Sequence, residues 1–460
     1  MKDIVFKRRT LVLITSGVVA LLVVSVIVEN FVLHSVQTGP NPTGATETSG
    51  CATPLAPREN MLYVLASQRI SPQTSPPLTP LGPVQGPLYI SAVDTNGRQS
   101  WMQQFTTFSP DRFTNASLEV RNGIVYAFAT HFVLQSNHIV AANIVAAYDA
   151  NSGKQLWGIQ VKNANVDVSS PVNNAIVGMS ICNNRMYLWT QDALYAYNVK
   201  NGSLLWQDEW LPWKPFQMGS NPLVEVTDTA IVFASSSHTA MRGNYLLRDE
   251  NAINALNSKN GVPLWKVSIP AYSPSQGLSF AATDRAVYID VLHPGSPQKV
   301  EALSISTGKQ LWNTSVGKPI ADDFYFPSAV VGNNVLYVST NNYGVVAINA
   351  NDGRHLWQDN TISELKPLQD KLYVNHTKMG DVFTKSDFCQ LDPVTGKSQW
   401  CNSYADDPLG RATSDQTTVY IPLVDGVHAL QKNNGNLKWI YKGNISGTAL
   451  TVTDGLSFDY

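Results

Sequence analysis

The sequence predicts an all-β protein: an eight-bladed β-propeller of four-stranded antiparallel blades, preceded by an N-terminal transmembrane helix. Three observations support this fold class. A phrase in which Gly is followed four residues later by Trp occurs eight times. The runs around that phrase alternate apolar and polar residues, which is the period of a β-strand. Ahead of the first repeat, residues 11–28 contain no charged side chain.

The N-terminus is predicted to hold a cytoplasmic basic tail, 1–10, and a transmembrane signal anchor, 11–33. Four basic residues lie within the tail, and basic residues remain on the cytoplasmic side of a membrane. As a helix, 11–28 would be roughly 27 Å long, close to the thickness of the hydrocarbon core. A cleaved signal peptide is the alternative, but its apolar part is usually about 7–15 residues and ends at a small-residue site.

A flexible linker is predicted over 34–59, between the anchor and a propeller that spans 60–460. The linker is rich in Pro, Thr, Gly and Ser, a composition that buries little apolar surface. Cys51 raises lipid attachment as an alternative, although it lies far beyond the apolar stretch. These segments predict a single-pass protein of the cell membrane whose propeller is extracytoplasmic.

The repeated phrase predicts a β-hairpin in each unit. An Asp or Asn four residues before most of the glycines can accept the turn's N–H groups, and the Gly adopts the positive φ that closes the turn. A second strand pair upstream, as in 222–235, completes four strands that we name A to D. Successive tryptophans lie 39 to 59 residues apart, which is typical of propeller blades. The residues are Gly97, Gly153, Gly202, Gly261, Gly308, Gly353, Gly396 and Gly435, with Trp101, Trp157, Trp206, Trp265, Trp312, Trp357, Trp400 and Trp439.

These sixteen residues are predicted to have a structural docking role. A large flat ring on the outer strand D can wedge into the next blade, where its burial removes ~150–250 Å² from water. The first unit, starting at residue 60, supplies only strands B, C and D. The first half of 447–460 is therefore expected to supply its strand A and close the ring.

The lengths of the connections distinguish two faces of the propeller. The A–B and C–D turns are short and form a plain face. The long B–C and D–A insertions, with 130–144 and 235–251 among the B–C loops, form a loop face, where function is expected. The linker enters at the plain face, so the loop face is expected to point away from the membrane. Trp210 and Trp213 lie in one D–A insertion. They are predicted to form an aromatic platform for a protein or glycan partner, or alternatively a loop folded over the channel mouth.

Few residues predict chemistry. Cys389 and Cys401 flank a turn and would form a disulfide if that turn is a hairpin, the alternative being two free buried thiols. No phosphate-binding, zinc-protease or serine-hydrolase motif is present, so no catalytic, cofactor-binding or metal-binding residue is assigned. The net charge of −2 gives no sign of a nucleic-acid partner.

The eight phrases, best developed in 145–157 and 300–312, resemble the tryptophan-docking motif of the pyrroloquinoline-quinone (PQQ) repeat propellers. The likeness covers nearly all of 60–460. The resemblance implies one of two branches. Quinoprotein dehydrogenases bind PQQ and calcium in the channel and have a vicinal Cys–Cys disulfide, which this chain lacks. The other branch is non-enzymatic and looks like the lipoprotein scaffold that helps to assemble outer-membrane β-barrel proteins, which has a similar size and blade number.

The sequence therefore favours a membrane-anchored, extracytoplasmic scaffold that binds a protein or glycan through its loop face. Enzymatic activity is not expected on this interpretation, nor is any cofactor. The alternative is a PQQ- or metal-dependent oxidoreductase similar to the quinoprotein dehydrogenases, with PQQ and calcium as its cofactors.

Overall fold

A computed structural model describes most of the predicted propeller. The described ranges are 61–67, 88–94, 96–106, 113–135, 138–161, 175–190, 193–209, 224–242, 245–269, 279–291, 297–319, 329–340, 344–368, 371–377, 386–404, 412–415, 417–423, 426–441 and 446–452. The predicted tail, anchor and linker, 1–59, lie outside them, as do Trp210 and Trp213. Within these ranges, no helix has the length and apolar character needed to cross a bilayer.

The described chain consists of β-strands joined by turns. In chain order they are β1 Met61–Ser67, β2 Leu88–Asp94, β3 Gln99–Gln104, β4 Phe113–Arg121, β5 Ile124–Gln135, β6 His138–Asp149, β7 Gln155–Val161, β8 Gly178–Cys182, β9 Arg185–Trp189, β10 Ala193–Asn198, β11 Leu204–Glu209, β12 Val224–Val226, β13 Ala230–Arg242, β14 Tyr245–Asn257, β15 Pro263–Ile269 and β16 Ser279–Ala282. The second half comprises β17 Ala286–Val291, β18 Pro297–Ser304, β19 Gln310–Pro319, β20 Ala329–Gly332, β21 Val335–Thr340, β22 Gly344–Asn349, β23 His355–Asp359, β24 Ile362–Leu368, β25 Lys371–Thr377, β26 Ser386–Leu391, β27 Ser398–Tyr404, β28 Thr413–Ser414, β29 Thr418–Leu423, β30 Gly426–Gln431, β31 Leu437–Tyr441 and β32 Ser446–Val452.

The strands form eight separate four-stranded sheets, which are the predicted blades. Blade 1 contains β32 and β1–β3, and each later blade takes the next four strands, so blade 2 is β4–β7 and blade 8 is β28–β31. Within a blade all pairings are antiparallel. The A strands of neighbouring blades contact one another, as β4 contacts β32 and β8, so the A strands line the centre of the wheel.

The ring closes as the C-terminal sequence predicts. Strand β32 pairs with β1 in antiparallel register, from Leu62 opposite Val452 to Ser67 opposite Ser446. This strand, the last that the structure describes, thereby becomes strand A of the first blade. No sheet edge is left open at this junction, which is how a closed propeller removes a site of aggregation.

The apolar core lies between blades rather than within a single sheet. Each pair of neighbouring blades encloses a cluster of buried apolar side chains, and the described residues form eight such clusters. The cluster between blades 8 and 1 joins Leu62 and Val64 to Tyr420 and Ala429. Because every interface around the wheel is filled, the eight-bladed fold predicted from the sequence is confirmed.

Candidate functional site

The eight repeat tryptophans dock each blade on the next one. Each ring is half-buried and lies against the repeat glycine of the following blade, where an added Cβ would stand 2.6–3.2 Å from the ring in all eight cases. The indole N–H groups of seven of them donate to a backbone carbonyl in the same turn, over 2.7–3.2 Å. The glycines have φ between +67° and +79°, so both the turn and the docked ring require Gly.

The docking unit includes two further residues that the sequence analysis did not single out. A buried Tyr on strand B lies 5.8–6.1 Å, centroid to centroid, from the Trp of its own blade in seven blades. In blade 5, Ala302 stands opposite both Tyr288 and Trp312 in the strand register. The small Ala lets the two rings meet across the central strand. Blade 4 has Val232 in the Tyr position, and blade 7 has Gln390 in the Ala position.

Two β-hairpin arms distinguish the loop face. In blade 2, strands β5 and β6 stay paired out to Gln135 opposite His138, and in blade 4, β13 and β14 stay paired out to Arg242 opposite Tyr245. We name residues 131–142 the blade-2 arm and residues 236–251 the blade-4 arm. Their sequences were interpreted as long B–C loops. The structure instead continues the strands, so the two insertions are extensions of the blades.

Buried polar groups lie at the loop-face ends of several blades. At the base of the blade-2 arm, Thr130 Oγ donates to Asn143 Oδ1 over 2.7 Å, and the N–H of Ile176 in blade 3 lies 3.1 Å from that same oxygen. In blade 5, Gln298 Nε2 lies 2.9 Å from a carboxylate oxygen of Asp290 and 2.8 Å from the Ser339 carbonyl of blade 6. Burial raises the pKa of Asp290 to about 8, against the lowering effect of Gln298. These groups join neighbouring blades at the loop-face ends of their strands.

Two acidic residues of the inner strands differ in how they are neutralised. Glu119 in blade 2 accepts hydrogen bonds from Arg121 Nε, at 2.9 Å, and from the Ile181 N–H of blade 3, at 3.0 Å. Glu225 lies at the same place before the A–B turn of blade 4, where Thr227 stands in the position of Arg121. Burial raises the pKa of Glu225 well above its usual range, so this carboxyl favours the protonated form.

The plain face is tightly joined through its turns. Asn183 Nδ2 of blade 3 donates to Asp228 Oδ1 of blade 4 over 3.0 Å, and the Asp228 N–H donates to Asp284 Oδ1 of blade 5 over 2.9 Å.

Cys389 and Cys401 are a directly opposed pair on strands C and D of blade 7. Their sulfur atoms form a disulfide with an S–S distance of 2.05 Å.

The described residues contain no group of three or more His, Cys, Asp or Glu side chains arranged to hold a metal ion. Among the described residues, the loop face is distinguished by the two arms of blades 2 and 4 and by the buried polar groups at the ends of its strands. One further donor lies nearby: Trp189, outside the repeat, is buried, and its indole N–H has no hydrogen-bond partner among the described residues. No sequence pattern marked this residue, because it belongs to an ordinary strand B.

Comparison with known proteins places the chain among relatives of the same repeat type. Residues 87–271 and 248–408 match the family model described as outer membrane protein assembly factor BamB. A 170-residue segment, 35% of this chain, is 27% identical to outer membrane protein assembly factor BamB of Kangiella koreensis. The match covers 41% of that relative, so the chain aligns with less than half of its length.

Two solved structures give partial superpositions. BamB from Moraxella catarrhalis has a TM-score of 0.45 at 16% identity, over 71% of this chain and 95% of its own. Quinohemoprotein alcohol dehydrogenase from Comamonas testosteroni has a TM-score of 0.46 at 13% identity, over 70% of this chain and 65% of its own. The resemblance to PQQ-repeat propellers is confirmed by the family match. The chain belongs to the PQQ-like repeat family whose model is described as outer membrane protein assembly factor BamB.

Proposed function

We propose that this chain is a membrane-anchored, extracytoplasmic scaffold that binds a protein partner through the two arms of its loop face. The observation that carries the proposal is the pair of arms: among the described strands, only those of blades 2 and 4 extend so far beyond the blade at the B–C end. Family membership supports a scaffold role, because the matching relative is named as an assembly factor.

The chemistry of the arms favours a protein as the partner. The blade-2 arm has the sequence HFVLQSNHIVAA, which contains no charged residue, whereas the blade-4 arm contains Arg242, Arg248, Asp249 and Glu250. A hairpin that extends beyond its blade presents backbone N–H and C=O groups along its outer edges, and an extended polypeptide can add to such an edge as a further strand. A partner with an apolar strand beside a charged surface would match both arms. A glycan bound by Trp210 and Trp213 is the second form of the partner hypothesis.

The proposed anchor is the helix over 11–33, followed by the linker over 34–59. Strand β1 begins at Met61 on the plain face, opposite to the arms. A chain tethered there would expose the arms to partners away from the lipid. Protease protection of epitope tags tests this arrangement: tags in the arms should be accessible in intact cells, and tags before residue 10 should be protected.

Arm-shortening variants test the partner hypothesis. Replacing 131–142 by Asn-Gly keeps Thr130 opposite Asn143 and supplies residues suited to a two-residue hairpin turn. The variant should fold and keep its unfolding midpoint, yet lose most of the partner captured by the wild type after cross-linking. Lys200→Glu is the matched control, because Lys200 is an exposed residue of a plain-face turn. Equal capture by the shortened variant would contradict the proposal.

The alternative, a PQQ- or metal-dependent oxidoreductase, has a direct test. Purified protein would be incubated with PQQ and calcium, and dye-linked oxidation of alcohols and sugars would be measured. The scaffold proposal predicts a rate equal to that of a heat-denatured control. A saturable rate that requires both PQQ and calcium would replace the scaffold proposal with the oxidoreductase.

A further inference from the structure

The large apolar side chains that are exposed in the described part of the chain share one location. All nine lie on a C–D turn or on the strand D that follows it, within five residues of the repeat glycine of their blade. They therefore lie at or close to the plain-face edge of the outer rim. Single exposed leucines are common on soluble proteins, but their concentration at one place marks a binding surface. Six of the nine belong to four consecutive blades, 2 to 5: Leu156, Leu204, Leu205, Val262, Leu264 and Leu311.

The C–D turns of these same four blades are basic. Each turn holds one exposed lysine, and the four are Lys154, Lys200, Lys259 and Lys309. Asp149 is the only acidic residue in the sequence of the four turns, and its carboxylate accepts N–H groups of its own turn. On the A–B turns, nearer the wheel centre, two arginines offset two aspartates: Arg185, Arg285, Asp228 and Asp284. The outer rim of blades 2–5 is therefore positive, although the whole chain has a net charge of −2.

The docking geometry joins these residues into one surface. Trp206 of blade 3 donates its indole N–H to the backbone carbonyl of Lys259 in blade 4 over 3.1 Å, and its ring lies on the glycine directly before Val262. Leu264 and Trp265 point to opposite faces of β15. Because Trp265 packs on blade 5, Leu264 lies on the side of blade 3. The same contacts in the neighbouring blades place each basic turn beside the outer strand of the blade before it.

We infer that this surface binds a phospholipid bilayer that displays anionic headgroups. We name it the rim patch and define it as the six apolar residues and four lysines of blades 2–5. A bilayer surface matches both features. Leucine and valine side chains bury themselves at the boundary between headgroups and acyl chains, and each lysine near an anionic surface strengthens binding roughly five-fold. A second copy of this chain fits less well, because two positive rims repel each other.

The place of the rim patch in the fold favours the same occupant. Strand β1 begins at Met61, at the plain-face end of blade 1, so the chain that precedes the propeller joins it on the side of the patch. The arms of blades 2 and 4 extend from the opposite face of the same four blades. One consequence rests on the proposed anchor. Anchor and rim patch together would hold the propeller at two points, so that the arms face away from the lipid.

Photo-cross-linking of the full chain in vesicles tests the inference. A photoreactive amino acid replaces Leu264 in the rim patch or, as the matched control, Leu437, an exposed leucine on the outer strand of blade 8. The vesicles are made of phosphatidylcholine with or without phosphatidylglycerol. When phosphatidylglycerol is present, position 264 should give a phospholipid adduct with at least about five times the yield of position 437. The yield should fall at high salt, because counterions screen the lysines.

Removal of charge gives an independent measurement. Joint replacement of Lys154, Lys259 and Lys309 by Gln should lower the adduct yield at position 264 by at least about five-fold. The control variant loses three basic rim residues of other blades, also to Gln, and should change the yield little: Arg98, Arg354 and Lys397. All six positions are exposed turn residues, so both variants should keep the thermal midpoint of the wild type. Lys200 stays unchanged because it is the plain-face control for the arms, where contact with lipid gives no protein adduct.

Three results would overturn the inference: equal yields at positions 264 and 437, a yield that does not depend on phosphatidylglycerol, or equal losses in the two triple variants. A discrete protein adduct from position 264 in native membranes would also overturn it and would assign the rim patch to a protein. Release by high salt distinguishes the rim patch from the anchor. A chain that labels lipid at position 264 but is released lacks the anchor, whereas a chain that stays bound without labelling lipid there lacks the rim patch.

Discussion

Replacing Trp312 by Ala removes one blade-to-blade dock and measures its contribution. The Trp312 indole donates to the Ala350 carbonyl over 3.2 Å, its ring lies on Gly353 of blade 6, and its centroid is 5.8 Å from that of Tyr288. The ring is half-buried, so its apolar burial contributes ~2–3 kcal/mol. The hydrogen bond and the aromatic pair add ~1–2 kcal/mol. We expect Trp312→Ala to lower the free energy of unfolding by about 3–5 kcal/mol.

Gly353→Ala probes the other half of the same dock. The glycine has φ +75°, and an added Cβ would stand 2.7 Å from Trp312 Cε3. The positive φ costs an Ala ~1–2 kcal/mol, and the overpacked ring adds ~1–3 kcal/mol. In the Trp312→Ala background, Gly353→Ala should cost only the free energy of holding an Ala at a positive φ. The double variant should therefore be more stable than the sum of the single variants by at least ~1 kcal/mol.

Denaturant titration of the four proteins, followed by circular dichroism, gives the required free energies. Trp312→Phe is the matched control because it keeps an aromatic ring at this position while it loses the N–H group and part of the indole's apolar area, at a cost of ~2 kcal/mol. If the two single effects add to within ~0.5 kcal/mol, the ring and the glycine do not interact as described.

Three further predictions concern the same fold. Asp290→Asn should flatten the dependence of the unfolding free energy on pH. The Asp290 carboxyl has a pKa of about 8 in the folded protein, so it keeps its proton there at pH values at which the unfolded chain loses it. The stability of the wild type therefore falls by up to ~1.4 kcal/mol per pH unit between pH ~4 and ~8. Unfolding free energies at pH 5 and pH 8 should therefore differ less in Asp290→Asn, and parallel profiles would refute this. Joint replacement of Cys389 and Cys401 by Ser should cost ~3 kcal/mol, because the bond closes a short loop; an unchanged thermal midpoint would contradict this. Deleting 446–460 removes β32 and should leave blade 1 with an open edge, seen as aggregation in light scattering; a monodisperse truncated chain would argue against closure by β32.

The sequence was sufficient to predict the wheel because the docking phrase fixes both ends of one hairpin in every blade. Counting Trp residues gave eight blades, and the strand missing from the first unit predicted that β32 would close the ring. Both predictions depend on local patterns: a turn that needs Gly, and a strand that alternates apolar and polar residues. The family resemblance came from the same phrase.

The Tyr and Ala residues of the docking unit are present in the sequence of most blades, but they were not predicted to belong to it. In seven blades an Ala precedes the docking Trp by nine or ten residues, as Ala302 precedes Trp312. Its role depends on the register of three strands, which sequence spacing alone does not reveal. The pairing of Asp290 with Gln298 is of the same kind, since it joins two strands and a neighbouring blade.

The arms were missed for a different reason. Their sequences lack strict alternation, so 130–144 and 235–251 were interpreted as loops. A paired hairpin outside the blade has no single core face to impose alternation. Extension of strands B and C therefore depends on backbone pairing, which composition does not encode.

Site-specific photo-cross-linking in native membranes tests the central claim most directly. A photoreactive amino acid would be placed at Gln135, at the tip of the blade-2 arm, and separately at Lys200, on the plain face. The scaffold account predicts a discrete protein adduct from position 135 and none from position 200, with the adduct lost when unlabelled wild-type protein competes. An adduct from position 200 alone, or none from position 135, would contradict it.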